Sequence, residues 1–373
     1  MAVPPGLLWP LDPHTSAKHQ VLARYYDAWF PIMLRTSFVR SLTVFEGFSG
    51  PGEYLSEEGA DGGPEGSPLV AMRSLLARPE LVDLDKPVRF VFLEDRPDRV
   101  AHLQNLVQDR LGPLPPHVSC LARSGRCEKD AIPLLTEAGA WGHPIFANLD
   151  PFDAYVPIEL VQALGGNGAS EAFVTFMSHR LIRFASVDSL TQGDEMFGSR
   201  TWRSVQDMAT NAKERYLVEA YRNTLARVGL DKIAGFQLLD ERGLGFWLLH
   251  GTSHIRGVQK MKDAMWNVDP ISGYRFRDPR PTLQASFDFS GSWKPDLQPL
   301  RHAITDLLER EGRVPIERVR KYTLFETAYK ETHASDVLGE LIKDGVVGRH
   351  PIRGPLAEAE VWPIASDAPT LFG

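Results

Sequence analysis

The stretch Ser41-Leu-Thr-Val-Phe-Glu46, followed directly by Gly47-Phe-Ser-Gly50-Pro-Gly52, decides the fold of this 373-residue chain. The apolar and β-branched residues of its first half predict a short buried strand. The glycines of its second half allow the backbone to turn sharply and to lie close to a ligand. The carboxyl end of a strand is where open α/β sheets bind nucleotides. A helix start at Ser67-Pro68, with Ser67 as the cap, completes a strand–loop–helix unit.

Strands and helices alternate after this unit, which predicts right-handed crossovers and a mostly parallel sheet. Residues 233–239 and 245–250 predict a hairpin at the sheet edge, with a turn at 240–244 between them. A parallel sheet that ends in an antiparallel hairpin is typical of the Rossmann-like methyltransferase version of the α/β doubly wound fold. The predicted strands after the first are 88–93, 117–122, 144–149 and 172–177, and the predicted helices are 15–34 (with Thr15 as N-cap), 69–76, 97–111, 128–138 and 157–164.

The pattern predicts two domains. Residues 1–267 form the Rossmann-like domain, in which 179–228 is a helical insertion or lid. Residues 268–298 are rich in Pro, Asp, Gly and Ser and are predicted to be a linker or strap. Residues 299–373 read as three helices and a hairpin, which predicts a small winged helix-turn-helix domain.

Two acidic strand ends suggest the ligand. Glu46 at the end of the first strand suits a ligand with an ammonium group, such as the amino acid part of S-adenosylmethionine, and would repel a dinucleotide pyrophosphate. The glycine order GxxGxG also differs from the GxGxxG of dehydrogenases. Glu94 at the next strand end can accept both ribose hydroxyls, although Glu94 or Asp95 could instead cap the following helix. The residues predicted to bind the cofactor are Glu46, Gly47, Phe48, Gly50, Gly52, Glu94 and Asp95.

The predicted catalytic residues are Asp150, Pro151 and Phe152, which follow Asn148-Leu149 at the end of the fourth strand. An acidic residue, a proline and an aromatic residue at this place resemble the substrate loop of amino-methylating enzymes, where the carboxylate orients a target NH2 group and the ring stacks on a planar substrate. Asp-Pro is also a common turn, so a structural role stays open. Lys18 and His19 could reach the mouth of the site, but a solvated helix face is the default interpretation. For His179, His250 and His254 a structural role is preferred to that of a base.

Composition limits the class of protein. The net charge of -7 argues against broad affinity for nucleic acids or anionic membranes, and the acidic residues of the predicted winged helix nearly balance its basic ones. Cys120 and Cys127 lack partners for a zinc site or a disulfide framework, which suits a reducing cytoplasm. No apolar run approaches the roughly 20 residues of a membrane span, so we expect no membrane segment and a cytoplasmic location.

Five blocks of sequence together resemble the three-Cys-motif partner family of Rossmann-like, methyltransferase-type proteins. The resemblance implies S-adenosylmethionine as cofactor, a radical-enzyme-like three-Cys-motif protein as partner, and an attached winged helix. Two departures are Asp153, where many relatives have glycine, and Glu46 in place of aspartate. The blocks are Ala17-Lys-His19 with Tyr25-Tyr-Asp-Ala-Trp29, then Phe45 to Gly52, Gly66-Ser-Pro-Leu69, Asp150-Pro-Phe152, and Gly251-Thr-Ser-His254 continuing through Gly257 to Trp266.

Two functions follow as hypotheses. The first is an S-adenosylmethionine-dependent methyltransferase that acts on an amino or similar nucleophile, with a nucleobase or nucleoside among the candidate substrates. The alternative is a non-catalytic partner or scaffold protein that keeps the fold and binds a protein or DNA through its winged helix. Substitution of Asp150 distinguishes the two.

Overall fold

The protein is described from a computed structural model. Its described residues form two compact units, which are taken separately below. Asp153, the predicted turn at 240–244 and most of the predicted linker lie outside the described residues. The structure describes residues 6–56, 59, 62–152, 155–187, 189, 191–239, 245–273, 275–277 and 294–364.

The N-terminal unit comprises the described residues up to Val268 together with one later strand. It is built on an eight-stranded sheet. Its strands are β1 (Leu42–Glu46), β2 (Val88–Glu94), β3 (Val118–Ser124), β4 (Ile145–Leu149), β5 (Glu171–Phe176), β6 (Lys232–Leu239), β7 (Gly245–Thr252) and β8 (Arg275–Arg277). Its helices are α1 (Pro13–Arg35), α2 (Ser67–Leu76), α3 (Pro79–Val82), α4 (Pro97–Leu111), α5 (Cys127–Glu137), α6 (Ile158–Gly166), α7 (Ser178–Phe184), α8 (Gln192–Phe197), α9 (Thr210–Arg227) and α10 (Ile255–Val268).

The strand order is β3-β2-β1-β4-β5-β7-β6-β8. Strands β1 to β5 pair in parallel, and β7 runs antiparallel to both β5 and β6. This confirms the predicted Rossmann-like methyltransferase sheet with its antiparallel hairpin. The hairpin was wrongly expected at the sheet edge, because β8 pairs with β6 on its outer side and comes from the segment predicted as a linker. The order reverses between β1 and β4, and this is the point at which open α/β sheets bind ligands.

Helix α1 covers one face of the sheet and packs against α2 and α10. Its predicted apolar face is buried, and Tyr25, Tyr26 and Trp29 all contact the ring of Phe146 in β4. The prediction that Thr15 caps this helix is wrong. The helix begins two residues earlier, and the side chain of Asp12 accepts a hydrogen bond from the Thr15 backbone N–H at 2.9 Å.

The connection between β5 and β6 is helical, as predicted. It contains α7, α8, a 3₁₀ helix at Thr201–Asp207, and α9. The Trp202 ring stacks on Phe197 at 5.9 Å, and Tyr221 stacks on Phe176 of β5 at 4.9 Å. These contacts join the connection to the hydrophobic core of the sheet. Whether it acts as a lid stays a prediction.

The described residues of the C-terminal unit form three α-helices, a short 3₁₀ helix at Leu356–Glu358, and a three-stranded antiparallel sheet of order β10-β11-β9. The predicted helices and hairpin are present, and the winged helix-turn-helix interpretation stays a prediction. Among the described residues, no helix is long and apolar enough to cross a membrane. The elements are α11 (Gln298–Glu311), β9 (Val314–Pro315), α12 (Ile316–Glu326), α13 (Glu331–Lys343), β10 (Val347–His350) and β11 (Glu360–Pro363).

Candidate active site

The glycine-rich loop after β1 is fixed by backbone hydrogen bonds to its two neighbouring strands. The Gly47 N–H donates to the Asn148 carbonyl at 3.1 Å, and the Ser49 N–H donates to the Leu93 carbonyl at 2.9 Å. Gly50 has a φ of 63°, a conformation that favours glycine, and its N–H donates to Glu94 Oε2 at 3.0 Å. The loop therefore bridges the carboxyl ends of β1, β2 and β4.

A cleft of about 360 Å³ opens beside this loop, and we call it the Glu94 cleft. Glu94 is 7% exposed, and its Oε1 accepts the Arg96 N–H at 3.3 Å and lies 3.5 Å from the Arg99 guanidinium. Burial and the neighbouring Asp95 carboxylate raise the pKa of Glu94 to about 7. Asp95 also lines the cleft, and it is exposed. The cleft therefore offers two adjacent acidic groups, of which Glu94 is the buried one.

The far wall of the Glu94 cleft is the start of α5. The residues that line it are Gly125, Arg126, Cys127 and Glu128. A side chain at Gly47 would lie 2.9 Å from the Cys127 sulfur, so the loop can pack against α5 only with glycine there. Burial raises the pKa of the Cys127 thiol above its ordinary range, so this cysteine is held as a neutral thiol.

Glu46 lies beneath the loop and is 1% exposed. Its Oε2 accepts hydrogen bonds from the Ser67 hydroxyl at 2.6 Å and the Asn148 side-chain amide at 3.0 Å. Burial outweighs these bonds and raises the pKa of Glu46 to about 8, and its Oε1 has no described hydrogen-bond partner. Ser67 was predicted as the cap of α2, but Gly66 occupies that position. The Ser67 hydroxyl instead orders the buried end of β1.

The Asp150-Pro151-Phe152 loop meets α1 through an ion pair between Lys18 and Asp150. Lys18 Nζ donates to Asp150 Oδ2, and the two side chains are 5% and 23% exposed. Burial alone would raise the pKa of Asp150, but the charge of Lys18 and its hydrogen bond to Asp150 hold that pKa below its ordinary value. His19 stays neutral because burial and the Lys18 charge lower its pKa to about 3. The default expectation that Lys18 lies on a solvated face is therefore wrong.

Phe152 stands between the Glu94 cleft and a smaller pocket of about 40 Å³ around Lys18 and Asp150, which we call the Asp150 pocket. Its ring meets Trp9 edge to face at 5.6 Å, and the Arg99 guanidinium lies 4.8 Å over Trp9. Trp9 precedes the first predicted element, so sequence reasoning missed it. Lys18 could have been found by its position, because it lies one turn before the predicted buried face of α1.

The predicted site residues divide into three groups. The Glu94 cleft is lined by Gly47, Phe48, Glu94, Asp95 and Phe152. The Asp150 pocket is lined by Gly50, Gly52, Asp150 and Pro151, and it shares Phe48 and Phe152 with the cleft. Glu46 lines neither space.

Gly52 has a packing reason of its own. Its φ is 88°, and a side chain there would lie 2.5 Å from Leu103 of α4. Close packing of the loop against α4 therefore accounts for this glycine without a ligand.

Comparison with known proteins gives distant structural likenesses. No model of a known protein family matches the chain, and no curated protein matches it. Trm1 from Pyrococcus horikoshii, in complex with S-adenosyl-L-methionine, is 10% identical over 98% of this chain and 94% of its own, with a TM-score of 0.38. The O-methyltransferase from Bacillus cereus, in complex with SAH, is 11% identical over 65% of this chain and 82% of its own, with a TM-score of 0.32. The human methyltransferase 10 domain containing protein is 10% identical over 62% and 82%, with a TM-score of 0.29.

At these TM-scores the fold rests on the strand order of the sheet itself. The resemblance to the three-Cys-motif partner family stays a prediction.

Proposed function

We propose that this chain is an S-adenosylmethionine-dependent methyltransferase that transfers a methyl group to an amino or similar nitrogen. One observation carries the proposal. The acidic Glu94 cleft and the Asp150-Pro151-Phe152 loop meet around Phe48 and Phe152 at the reversal of strand order. A nucleoside subsite and a group able to orient an amine therefore adjoin at the place where this fold binds ligands.

The residues present fit the proposed cofactor. The 360 Å³ cleft falls within the roughly 300–1,000 Å³ range of small-molecule sites. Glu94 and Asp95 supply acceptors for ribose hydroxyls, and the start of α5 would border the adenine. Glu46 lies beneath the part of the glycine-rich loop that would hold the ammonium group of the cofactor, and its Oε1 has no described hydrogen-bond partner. When bound, the cofactor supplies an electrophilic methyl group on a sulfonium.

Asp150 acts in this proposal by positioning. Its lowered pKa keeps it ionised at neutral pH, so it accepts a hydrogen bond from the target amine and directs the nitrogen lone pair toward the methyl group. The same low pKa makes Asp150 a weak base, so the proton released after transfer passes to water. The Asp150 charge also stabilises the positive charge that develops on the nitrogen.

Phe152 and Lys18 complete the substrate end. The Phe152 ring borders both spaces and can stack on a planar group, which favours an amino group on a nucleobase or a similar ring. Lys18 keeps Asp150 ionised and occupies Asp150 Oδ2. We propose that the amine uses the other carboxylate oxygen. A radical-enzyme-like three-Cys-motif protein remains a proposed partner of the chain, and contact with a protein or DNA through a winged helix remains a proposal for the C-terminal unit.

Calorimetric titration with S-adenosylmethionine and S-adenosylhomocysteine tests the cofactor. We expect micromolar binding, about -8 kcal/mol, to the wild type and to the exposed-carboxylate control Asp109→Ala. Glu94→Gln keeps an acceptor for the Gly50 N–H but loses the charge that binds two hydroxyls, so its affinity should fall. Wild-type affinity should rise as the pH passes about 7, where Glu94 ionises, and Glu94→Gln should lack this rise. No binding at millimolar ligand would reject the proposal.

Asp150→Ala tests catalysis against the scaffold alternative. Methyl transfer to nucleosides and nucleic acids, detected as a mass increase of the product, should be lost in Asp150→Ala while cofactor binding is retained. A non-catalytic scaffold would show no transfer by the wild type, and its partner binding would be insensitive to this substitution.

A further inference from the structure

Another cavity, of about 430 Å³, lies at the opposite edge of the sheet from the Glu94 cleft, where the parallel strands begin. Helix α1, the first residue of β5, the last residue of β7 and the start of α10 form its walls. Two sequence blocks that the proposed methyl transfer does not use, Tyr25 to Trp29 and Gly251 to Gly257, supply much of its lining. We call this space the Glu171 cavity.

The floor of the Glu171 cavity is a buried carboxylate that is only half satisfied. Glu171 is 2% exposed, yet it lines the cavity. Its Oε2 accepts the Tyr25 hydroxyl and lies 2.7 Å from His250 Nε2. No described residue donates to its Oε1. Because this oxygen has no described protein donor and Glu171 lines the cavity, the floor is suited to accept a hydrogen bond from an ammonium or another N–H group.

The walls fit a cation with an apolar body. Tyr25, Trp29 and Phe38 present aromatic rings, and aromatic faces attract cations at close range. Phe38 is 80% exposed at the mouth, so its ring is available to contact a ligand there. The pocket thus combines an acidic floor with aromatic sides.

The rim has the opposite charge. Arg256 lines the cavity, is exposed, and has no described ion-pair partner, whereas Lys260 is paired with Asp263 at 3.0 Å. Arg256 lies in the first turn of α10, a 14-residue helix whose N-terminal end also favours anions. A ligand that spans the cavity therefore contacts the Glu171 carboxylate at the floor and the Arg256 guanidinium at the rim.

We propose that the Glu171 cavity binds a small aromatic zwitterion of the amino acid type. Its ammonium group contacts Glu171 Oε1, its aromatic body lies between Trp29 and Phe38, and its carboxylate contacts Arg256. The cavity volume lies within the roughly 300–1,000 Å³ range of small-molecule sites. This site is separate from the proposed methyl transfer and does not depend on it.

Three probes that share one ring test the proposal by calorimetry and ligand-observed NMR: tryptophan has both charged groups, tryptamine lacks the carboxylate, and indole-3-propionate lacks the ammonium. Tryptophan should bind about tenfold more tightly than either analogue. Equal affinity of the three probes, or no detectable tryptophan binding at millimolar concentration, would overturn the proposal.

Variants locate the binding. Arg256→Ala should bring the tryptophan affinity down to that of tryptamine, and the exposed-arginine control Arg215→Ala on α9 should leave it unchanged. Glu171→Gln should remove the advantage of the ammonium, and Ser253→Trp at the rim should block all three probes. Circular dichroism checks that Glu171→Gln and Ser253→Trp keep an intact fold. If Glu171→Gln fails to fold, Ser253→Trp still tests the location of the site, because Ser253 lies on the exposed rim. Tryptophan binding that persists in Ser253→Trp would place the ligand elsewhere and refute the assignment.

Discussion

Replacing Lys18 with methionine removes the cation that faces Asp150 while keeping the length and apolar stem of the side chain. Loss of one partner of a buried ion pair destabilises a protein by about 3–5 kcal/mol, because the other charge stays buried and uncompensated. Water reaches Asp150, whose side chain is 23% exposed, so we expect a loss at or just below the lower limit of this range, about 2–3 kcal/mol. The pKa of Asp150 should rise in this variant, since Lys18 is the main group that lowers it against burial.

A double-mutant cycle isolates the interaction. The variants are Lys18→Met, Asp150→Asn and the double variant, and each is unfolded in urea. Fluorescence reports mainly on the N-terminal unit, which contains the buried Trp29, Trp202 and Trp266, whereas Trp362 belongs to the C-terminal unit. The double variant should lose less stability than the sum of the single variants, by about 1–2 kcal/mol. Single effects that add within about 0.5 kcal/mol would show that the two charges do not stabilise each other and would refute the reasoning.

Two further predictions concern the glycine-rich loop. The pKa of Glu46 is raised from 4.5 to about 8, so the folded state binds more protons than the unfolded state in that window, and stability should fall as pH rises through it. In urea unfolding between about pH 5 and pH 8, Glu46→Gln should reduce the dependence of stability on pH, and Glu94 should account for the dependence that remains. An unchanged pH dependence would exclude Glu46 as its source. Gly52→Ala should lower the free energy of unfolding by about 2 kcal/mol or more, because it combines a positive φ with a contact at 2.5 Å to Leu103. The control Gly139→Ala has a φ of 63° but open space around it and should lose only about 1 kcal/mol, so equal losses would contradict the packing argument.

The sequence by itself determined the fold of the N-terminal unit. Alternation of short apolar runs with amphipathic segments is a local property, and it predicted seven of the sheet's strands within one or two residues. The loop from Gly47 to Gly52 and the carboxylates at the ends of β1, β2 and β4 were likewise identified from their place after a strand. Parallel strands bring their carboxyl ends to one edge of the sheet, so the topology alone places the loop and these carboxylates next to one another.

The partner of each buried charge was decided only by the tertiary structure. Lys18 and Asp150 are 132 positions apart, and Tyr25 and Glu171 are 146 apart, so no periodicity relates them. Strand β8, three residues within a segment that reads as a linker, shows the same limit, because so short a strand is recognised only by the strand with which it pairs. Hydrogen bonding and ion pairing depend on which elements pack together, and these partners and burial then jointly decide the pKa of each group. The local pattern therefore specifies where the site lies, whereas long-range packing specifies its charge state.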